Sequence, residues 1–336
     1  MQVNLFSRRR HLKQRPSFFP FNSSEDVLRK LEVYKYNPST LQPVIISLVV
    51  GYSTRQLKPF VLSLRKFDKN CRLIIFGSKL SKSTKKFLRD NNAELFNFNP
   101  HAYGTIKIHN SRHIAILSWL LDALKNNSLP NRILMCDSKD VVFQSPPFEA
   151  PQSDMEFFLE HETPKIRDCP ANSSWTRRCF GEEEIERIGH NIISCCGTIF
   201  SSGKKAIEYL ILMQDHIFSF STEVQSTICD QAIHNHILYH KLMSDITVCS
   251  NGGKVLTIGY VPQNEISIMG DKVHYGRELS LSPVLHQWDR NMLSTSMILN
   301  LYDAKPNYLE EKYIYFRNKI RKNLSLKNVK RVITRN

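Results

Sequence analysis

Pro43-Val44-Ile45-Ile46-Ser47-Leu48-Val49-Val50-Gly51-Tyr52-Ser53 is an apolar, β-branched run that stops at a small polar turn. Seven such residues are too few for a helix of ordinary length and suit a strand buried on both faces. A helical stretch follows at Gln56–Phe67, then a second apolar run at Arg72–Phe76, a helix at Ser81–Asn91 and a third run at Ala93–Phe98. Short apolar runs alternating with helices of about ten residues predict βαβ units and a parallel sheet. The expected fold class is therefore α/β, a mostly parallel central sheet flanked by helices, with ligands at the carboxyl ends of its strands.

Moving outward, His109–Leu124 has the pattern of a long helix, and Asn131–Cys136 is an apolar strand that ends in Asp137-Ser138-Lys139-Asp140. Two carboxylates three residues apart point to opposite faces of an extended strand, but on a strand-to-loop bend both can face one cation. Carboxylate oxygens of this kind hold a hard divalent ion, Mn²⁺ or Mg²⁺, together with a diphosphate. Such an ion offsets charge on a departing nucleoside diphosphate. An isolated pair of this spacing is more often a turn or helix cap; the apolar strand before it and Val141–Gln144 after it favour the metal.

Residues 151–190 are polar and predict a loop-rich insertion on the acceptor side, with a strand at Glu156–Glu160. A strand at Ile192–Ser201, helices at Lys204–Phe218 and Val224–Leu242 and a β-like region to Ile268 complete the core. The chain divides into a basic N-terminal extension (1–42), a main domain (43–300) and a basic tail (301–336), in which Glu310–Leu324 predicts an amphipathic helix.

The net charge of +15 is concentrated at the ends: residues 1–15 carry five basic and no acidic groups and residues 312–336 carry nine and none, leaving +1 over residues 16–311. A near-neutral body is unlike a nucleic-acid groove, so nucleic acid is not expected as a partner. Basic ends suit an anionic membrane surface, or are simply solvated tails. No apolar run is long enough to span a bilayer and no apolar segment follows the basic start, so a cytoplasmic protein, peripheral at a membrane at most, is expected. The eight cysteines form no Cys-x-x-Cys pair and are expected as free thiols, a Cys169–Cys179 bridge being the exception considered.

Asp137-Ser138-Lys139-Asp140-Val141-Val142-Phe143-Gln144, followed by Pro147-Phe148, resembles the metal-binding segment of the GT-A glycosyltransferases, the glycogenin-like group with an Asp-rich metal motif. The resemblance extends over residues 43–295. It includes Arg112, the turn Ser194-Cys195-Cys196-Gly197, Asp230-Gln231 and His286-Gln287-Trp288-Asp289-Arg290. It implies transfer of a sugar from a UDP- or GDP-linked donor to a glycan, lipid-linked or protein acceptor. It implies that His286 completes the metal set begun by Asp137 and Asp140. Val50, Gly51, Tyr52 and Ser53 would hold the nucleoside, with Lys107, Arg112 and Ser138 on the donor side. Cys196 and Gly197 would face the acceptor, and Asp230 with Gln231 would orient or deprotonate its hydroxyl, although Asp230 could equally cap the helix it opens. Relatives carry a small hydroxyl or amide residue where Cys195 and Cys196 stand.

Other motifs do not hold together. Gly203-Lys204 lacks the glycine five residues earlier that a phosphate loop needs, since Thr198 stands there, and no Gly-x-Gly-x-x-Gly follows a strand. His236 and His240, four apart on an expected helix, lack the intervening Glu of a zincin and are expected to be packing or surface residues. Two other classes share some of these features: a non-catalytic protein binding nucleic acid or anionic lipid through its ends, and a metal-dependent nucleotidyltransferase.

Overall fold

A computed structural model describes residues 24–37, 42–150 and 153–305. The first half runs α1 (Ser24–Val33), β1 (Val44–Val50), α2 (Thr54–Phe67), β2 (Arg72–Ser78), α3 (Lys82–Asp90), β3 (Ala93–Asn97), α4 (Ile108–Lys125), β4 (Ile133–Cys136) and β5 (Val141–Phe143). The second half runs β6 (Met155–Leu159), α5 (Pro170–Phe180), α6 (Glu182–Ile188), β7 (Ser194–Ser201), α7 (Gly203–Ser219), α8 (Thr222–Gln225), α9 (Asp230–Tyr239), β8 (Ile246–Cys249), β9 (Val255–Thr257), β10 (Ile266–Met269), β11 (Lys272–Tyr275), β12 (Val284–His286) and α10 (Met292–Leu301).

The central sheet has the order β3-β2-β1-β4-β7-β6-β8. Its first four strands are parallel, as the alternation of apolar runs and helices predicts. β7 runs antiparallel to both β4 and β6, and β8 is parallel to β6, so the sheet is mixed but mostly parallel.

Side chains alternate across the sheet, so consecutive apolar residues serve two cores. Ile46, Ile74, Met135, Phe157 and Ile199 pack with Leu117 of α4, Leu210 of α7 and Ile233 of α9. Ile45, Leu73, Leu134, Phe158 and Phe200 pack on the other face with Leu57, Phe60 and Leu64 of α2. Double-sided burial explains the unbroken apolar character of β1 and β4, and each fully buried Ile or Leu contributes about 1.5–3 kcal/mol. A small sheet, β5-β12-β9, sits beside the second core, and α10 packs beyond it.

Two segments differ from expectation. The insertion at 151–190 carries β6 and then α5 and α6, which meet at Gly181 with φ +88°, a left-handed conformation that glycine tolerates. The single helix expected at Val224–Leu242 is broken into α8 and α9. Asn110 of α4 causes the break: its Nδ2 donates to Gln225 O (3.1 Å) and Thr227 O (2.8 Å), while its Oδ1 accepts from the amides of Cys229 (3.0 Å) and Asp230 (3.2 Å). The eight cysteines are free thiols, as expected, and Cys169 Sγ meets the Tyr260 hydroxyl at 2.8 Å. The basic segments 1–15 and 312–336, with the amphipathic helix expected at 310–324, lie outside the described residues. Among those described, no helix is long and apolar enough to cross a membrane.

Candidate active site

Because β7 is antiparallel to both its neighbours, β4 and β6 point the same way. Their carboxyl ends therefore meet the amino end of β7 at one edge of the sheet. Asp137 follows β4, Glu160 follows β6 and Cys195-Cys196-Gly197 opens β7, so all converge on a cleft of about 470 Å³. The broken helix adds to this edge, because the gap before α9 places Asp230 and Gln231 at a helix start beside the cleft.

His286 arrives from the small sheet. β12 pairs antiparallel with β5, setting His286 opposite Val141 and hence beside Asp140, and parallel with β9, setting it opposite Thr257. Its Nδ1 lies 3.4 Å from Thr257 Oγ1 and 3.7 Å from Cys195 Sγ, which turns Nε2 towards the aspartates. Nε2 is 3.8 Å from Asp137 Oδ2 and 3.9 Å from Asp140 Oδ1, and one ligand atom from each of the three lies within 4.8 Å of the others.

Gly197 makes the approach of these groups feasible. A Cβ at this position would stand 2.7 Å from His286 Cε1 and 2.9 Å from Asp137 Oδ2, closer than real Cβ contacts allow. Its carbonyl accepts from the Asp137 amide (2.9 Å), fixing the bend on which the carboxylate sits. Two carboxylates and one imidazole around a space kept free of side chain fit a hard divalent ion. Gly197, expected to face the acceptor, lines the cleft with its Cα against His286 and Asp137.

Charge around this space is uneven. Burial opposes ionisation of Asp137, but the Arg112 guanidinium and then His286 outweigh it and hold its pKa down at about 2. Burial pushes Asp140 up to about 6, with His286 opposing and the Asp137 charge adding to the rise. Burial works against protonation of His286, and the two aspartates outweigh it, so its pKa is raised. One carboxylate is thus held charged by a guanidinium, while burial outweighs the opposing His286 and Arg290 at its neighbour.

Arg112 is committed to this architecture. Its Nη1 donates to Asp137 Oδ1, and its Nη2 donates to Asp230 Oδ2 (2.9 Å) and lies 3.3 Å from Cys196 Sγ. For Asp230, burial again favours the neutral form, yet Arg112 and His113 hold its carboxyl far below the usual range. A carboxylate so stabilised is a weak proton acceptor. Gln231 is likewise engaged: its Oε1 accepts from the Cys196 amide (2.9 Å) and its Nε2 donates to Ser194 O (2.6 Å), clamping the start of β7.

The expected donor residues separate into two groups. Gly51 forms the turn after β1 with φ +69°, its amide donating to Ser78 O, and Val50 precedes it as the last residue of the strand. Tyr52 feels the aspartate pair: burial first, then the Asp137 and Asp140 charges, push its hydroxyl up to about 12. Ser53 caps α2, accepting from the Gln56 amide while Gln56 Oε1 accepts from the Ser53 amide. Ser138 is buried and donates to Leu48 O (3.3 Å), and Lys107 is exposed at the start of α4. Of the whole expected set, Arg112, Asp137, Asp140, Cys196, Gly197, Asp230, Gln231 and His286 line the cleft together.

Sequence reasoning overlooked Glu160, Trp175 and Tyr260, which also line it. Burial pushes the Glu160 carboxyl up, partly offset by His286. Glu160 was findable, since it directly follows an apolar strand at the sheet edge where ligands collect. Trp175 and Tyr260 reach the cleft through long-range packing and leave no local signal.

No family model matches the chain, and no curated protein does. Among solved structures, the galactosyltransferase LgtC, in complex with donor and acceptor sugar analogs, is similar at 14% identity and a TM-score of 0.48, over 80% of this chain and 99% of that one. An active-site mutant of LgtC is similar at 14% identity and a TM-score of 0.47, over 76% and 93%. Likeness this distant says nothing of what this chain does.

Proposed function

We propose that this chain is a metal-dependent glycosyltransferase of the GT-A type that uses a nucleoside-diphosphate sugar as donor. One observation carries this: Asp137, Asp140 and His286, drawn from two sheets, face a shared space that Gly197 leaves free of side chain. Support also comes from their place at the carboxyl ends of β4 and β6, where α/β sheets bind ligands.

In this proposal Asp137, Asp140 and His286 hold Mn²⁺ or Mg²⁺, which when bound neutralises charge on the leaving diphosphate. Arg112 keeps Asp137 ionised and aimed. Asp230 anchors Arg112 and does not take a proton, and Gln231 fixes the start of β7. Glu160, whose proton affinity burial raises, is the better candidate to exchange a proton with an acceptor hydroxyl. Trp175 and Tyr260 give the cleft the aromatic walls on which sugar rings pack. The Tyr52 turn takes the nucleoside, and the acceptor is a glycan, a lipid-linked group or a protein.

The test is release of nucleoside diphosphate from a panel of UDP- and GDP-sugars, with Mn²⁺ or Mg²⁺ present. Release should occur with one donor, stop on adding chelator, and be absent in Asp140→Ala. Full activity of metal-replete Asp140→Ala would overturn the metal assignment. Absence of any stabilisation by any nucleotide sugar, with salt-sensitive binding to nucleic acid, would overturn the enzyme assignment.

A further inference from the structure

A second group of ligand-type side chains lies between α6 and α9, apart from the cleft. Glu184 of α6 is buried, and its Oε1 accepts from His236 Nδ1 at 2.6 Å. His240 Nε2 lies 3.0 Å from each of its carboxylate oxygens. Among the described residues no lysine or arginine pairs with Glu184, although its neighbour Glu183 has Arg187. A buried carboxylate that faces two imidazoles and no permanently charged group is suited to a cation held between them.

The histidines are held so that their nitrogens meet the carboxylate. They stand four apart, His236 in the last turn of α9 and His240 at its C-cap, and so lie one turn apart on the same side. Phe180 stacks flat on His236, ring centroids 4.2 Å apart and 8° from parallel. The His240 ring lies 4.4 Å from that of His236. One ligand atom from each of the three lies within 4.8 Å of the others.

We propose that Glu184, His236 and His240 form a second divalent-metal site, of the zinc type, that ties α6 to α9. Two imidazoles and one carboxylate make a softer donor set than the two carboxylates and one imidazole of the cleft, and favour Zn²⁺ over Mn²⁺ or Mg²⁺. Bonds of about 2.0–2.2 Å put ligand atoms roughly 3.3 Å apart, so the nitrogen-to-oxygen contacts open by a few tenths of an ångström on binding. Each histidine binds through the lone pair of one ring nitrogen, so the N–H now directed at Glu184 moves to the other nitrogen of the same ring.

The consequence reaches the cleft. α5, directly before α6, supplies Asn172 and Trp175 to one wall, and α9 begins with Asp230 and Gln231. A metal joining α6 to the far end of α9 therefore braces two sides of the cleft without touching its contents.

The experiment uses the full chain carrying Asp140→Ala, which removes the cleft site, stripped with chelator and titrated with Co²⁺ alone and then Zn²⁺ alone. One Co²⁺ per chain should bind with the intense visible bands of a four- or five-coordinate site, be displaced by Zn²⁺, and raise Tm. Adding Glu184→Gln, which keeps the size and one acceptor, should weaken binding by more than the ~10–100-fold that loss of an outer-shell partner costs. His240→Gln, at a partly exposed ring, should do the same if Glu184→Gln impairs folding. Absence of a bound ion in the Asp140→Ala chain, or binding unchanged by both added substitutions, would overturn the proposal. None of these outcomes depends on sugar transfer.

Discussion

Among the described residues, two three-membered carboxylate–histidine clusters differ in how their groups are kept. In the cleft, His286 stands 3.8 Å from Asp137 and 3.9 Å from Asp140 across open space. Between α6 and α9, Glu184 and its two histidines are already in contact at 2.6–3.0 Å. The first cluster is held open from behind, by Arg112 on Asp137, Thr257 on His286 and the missing side chain at Gly197. The second has closed on itself and satisfies its own hydrogen bonds. An open cluster stores unbalanced charge and suits exchange of ligands with solvent; a closed one suits a fastener.

The largest expected effect breaks the cleft cluster alone. Gly197→Ala drives a methyl group against His286 and Asp137, and displacement of this kind near a reacting centre costs ~10²-fold in turnover. Single-turnover assays across Mn²⁺ concentrations measure it. Zinc binding at Glu184, read by Co²⁺ spectra, should be unchanged. Equal loss at both clusters would show that the substitution unfolds the domain and that the two are not independent.

Next in size is the charge that supports the open cluster. Arg112→Met leaves Asp137 and Asp230 without their shared partner, and breaking a buried pair in this way costs about 3–5 kcal/mol by urea unfolding. In metal-free protein Glu184→Gln should cost only about 1 kcal/mol, because an amide still accepts from one ring. Comparable values for the two would contradict the contrast between supported and self-satisfied clusters.

His234 separates the clusters along α9 and is a control for both. Its ring nitrogens meet Ser194 Oγ (2.9 Å) and the Tyr209 hydroxyl (3.0 Å), and burial, then the neighbouring His113 charge, lower its pKa to about 3. The folded pKa lies below the unfolded value, so the unfolded chain takes up the proton first as pH falls. The stability this ring supplies is complete above about pH 6.5 and is lost on going down towards pH 3, at about 1.4 kcal/mol per unit. Replacing it with Gln should flatten that part of a urea-midpoint-versus-pH curve; an unchanged slope would place the acid sensitivity in the clusters instead.

What sequence could convey follows from the distance over which each feature is encoded. β1 to β4 were legible because strands buried on both faces are continuously apolar. The pairing of Asp137 with Asp140 was legible because both carboxylates sit on one bend. His286 needed the family resemblance, and its register beside Asp140 depends on β12 pairing with β5, which no local pattern announces. The break before Asp230 was missed because Asn110, more than a hundred residues earlier, competes for the backbone bonds of a helix that propensity alone would continue. His236 and His240, expected as packing or surface residues, do pack, and their contact with Glu184 comes from a different helix, 52 residues away from His236, which no local pattern announces.

The smallest expected effect marks where the open cluster ends. Ser53 was expected to hold the nucleoside, yet its hydroxyl accepts from the Gln56 amide and its amide donates to Gln56, a reciprocal cap on α2. Ser53→Ala should therefore cost about 1 kcal/mol of stability through the lost cap and leave the donor KM unchanged. Tyr52→Phe, which keeps the ring and removes a hydroxyl in the field of Asp137 and Asp140, should change KM more than Ser53→Ala does. A rise in donor KM for Ser53→Ala with an unaltered unfolding midpoint would mean that the hydroxyl leaves its cap to meet the nucleotide. In that case the boundary of the site lies one residue further along the chain than its hydrogen bonds indicate.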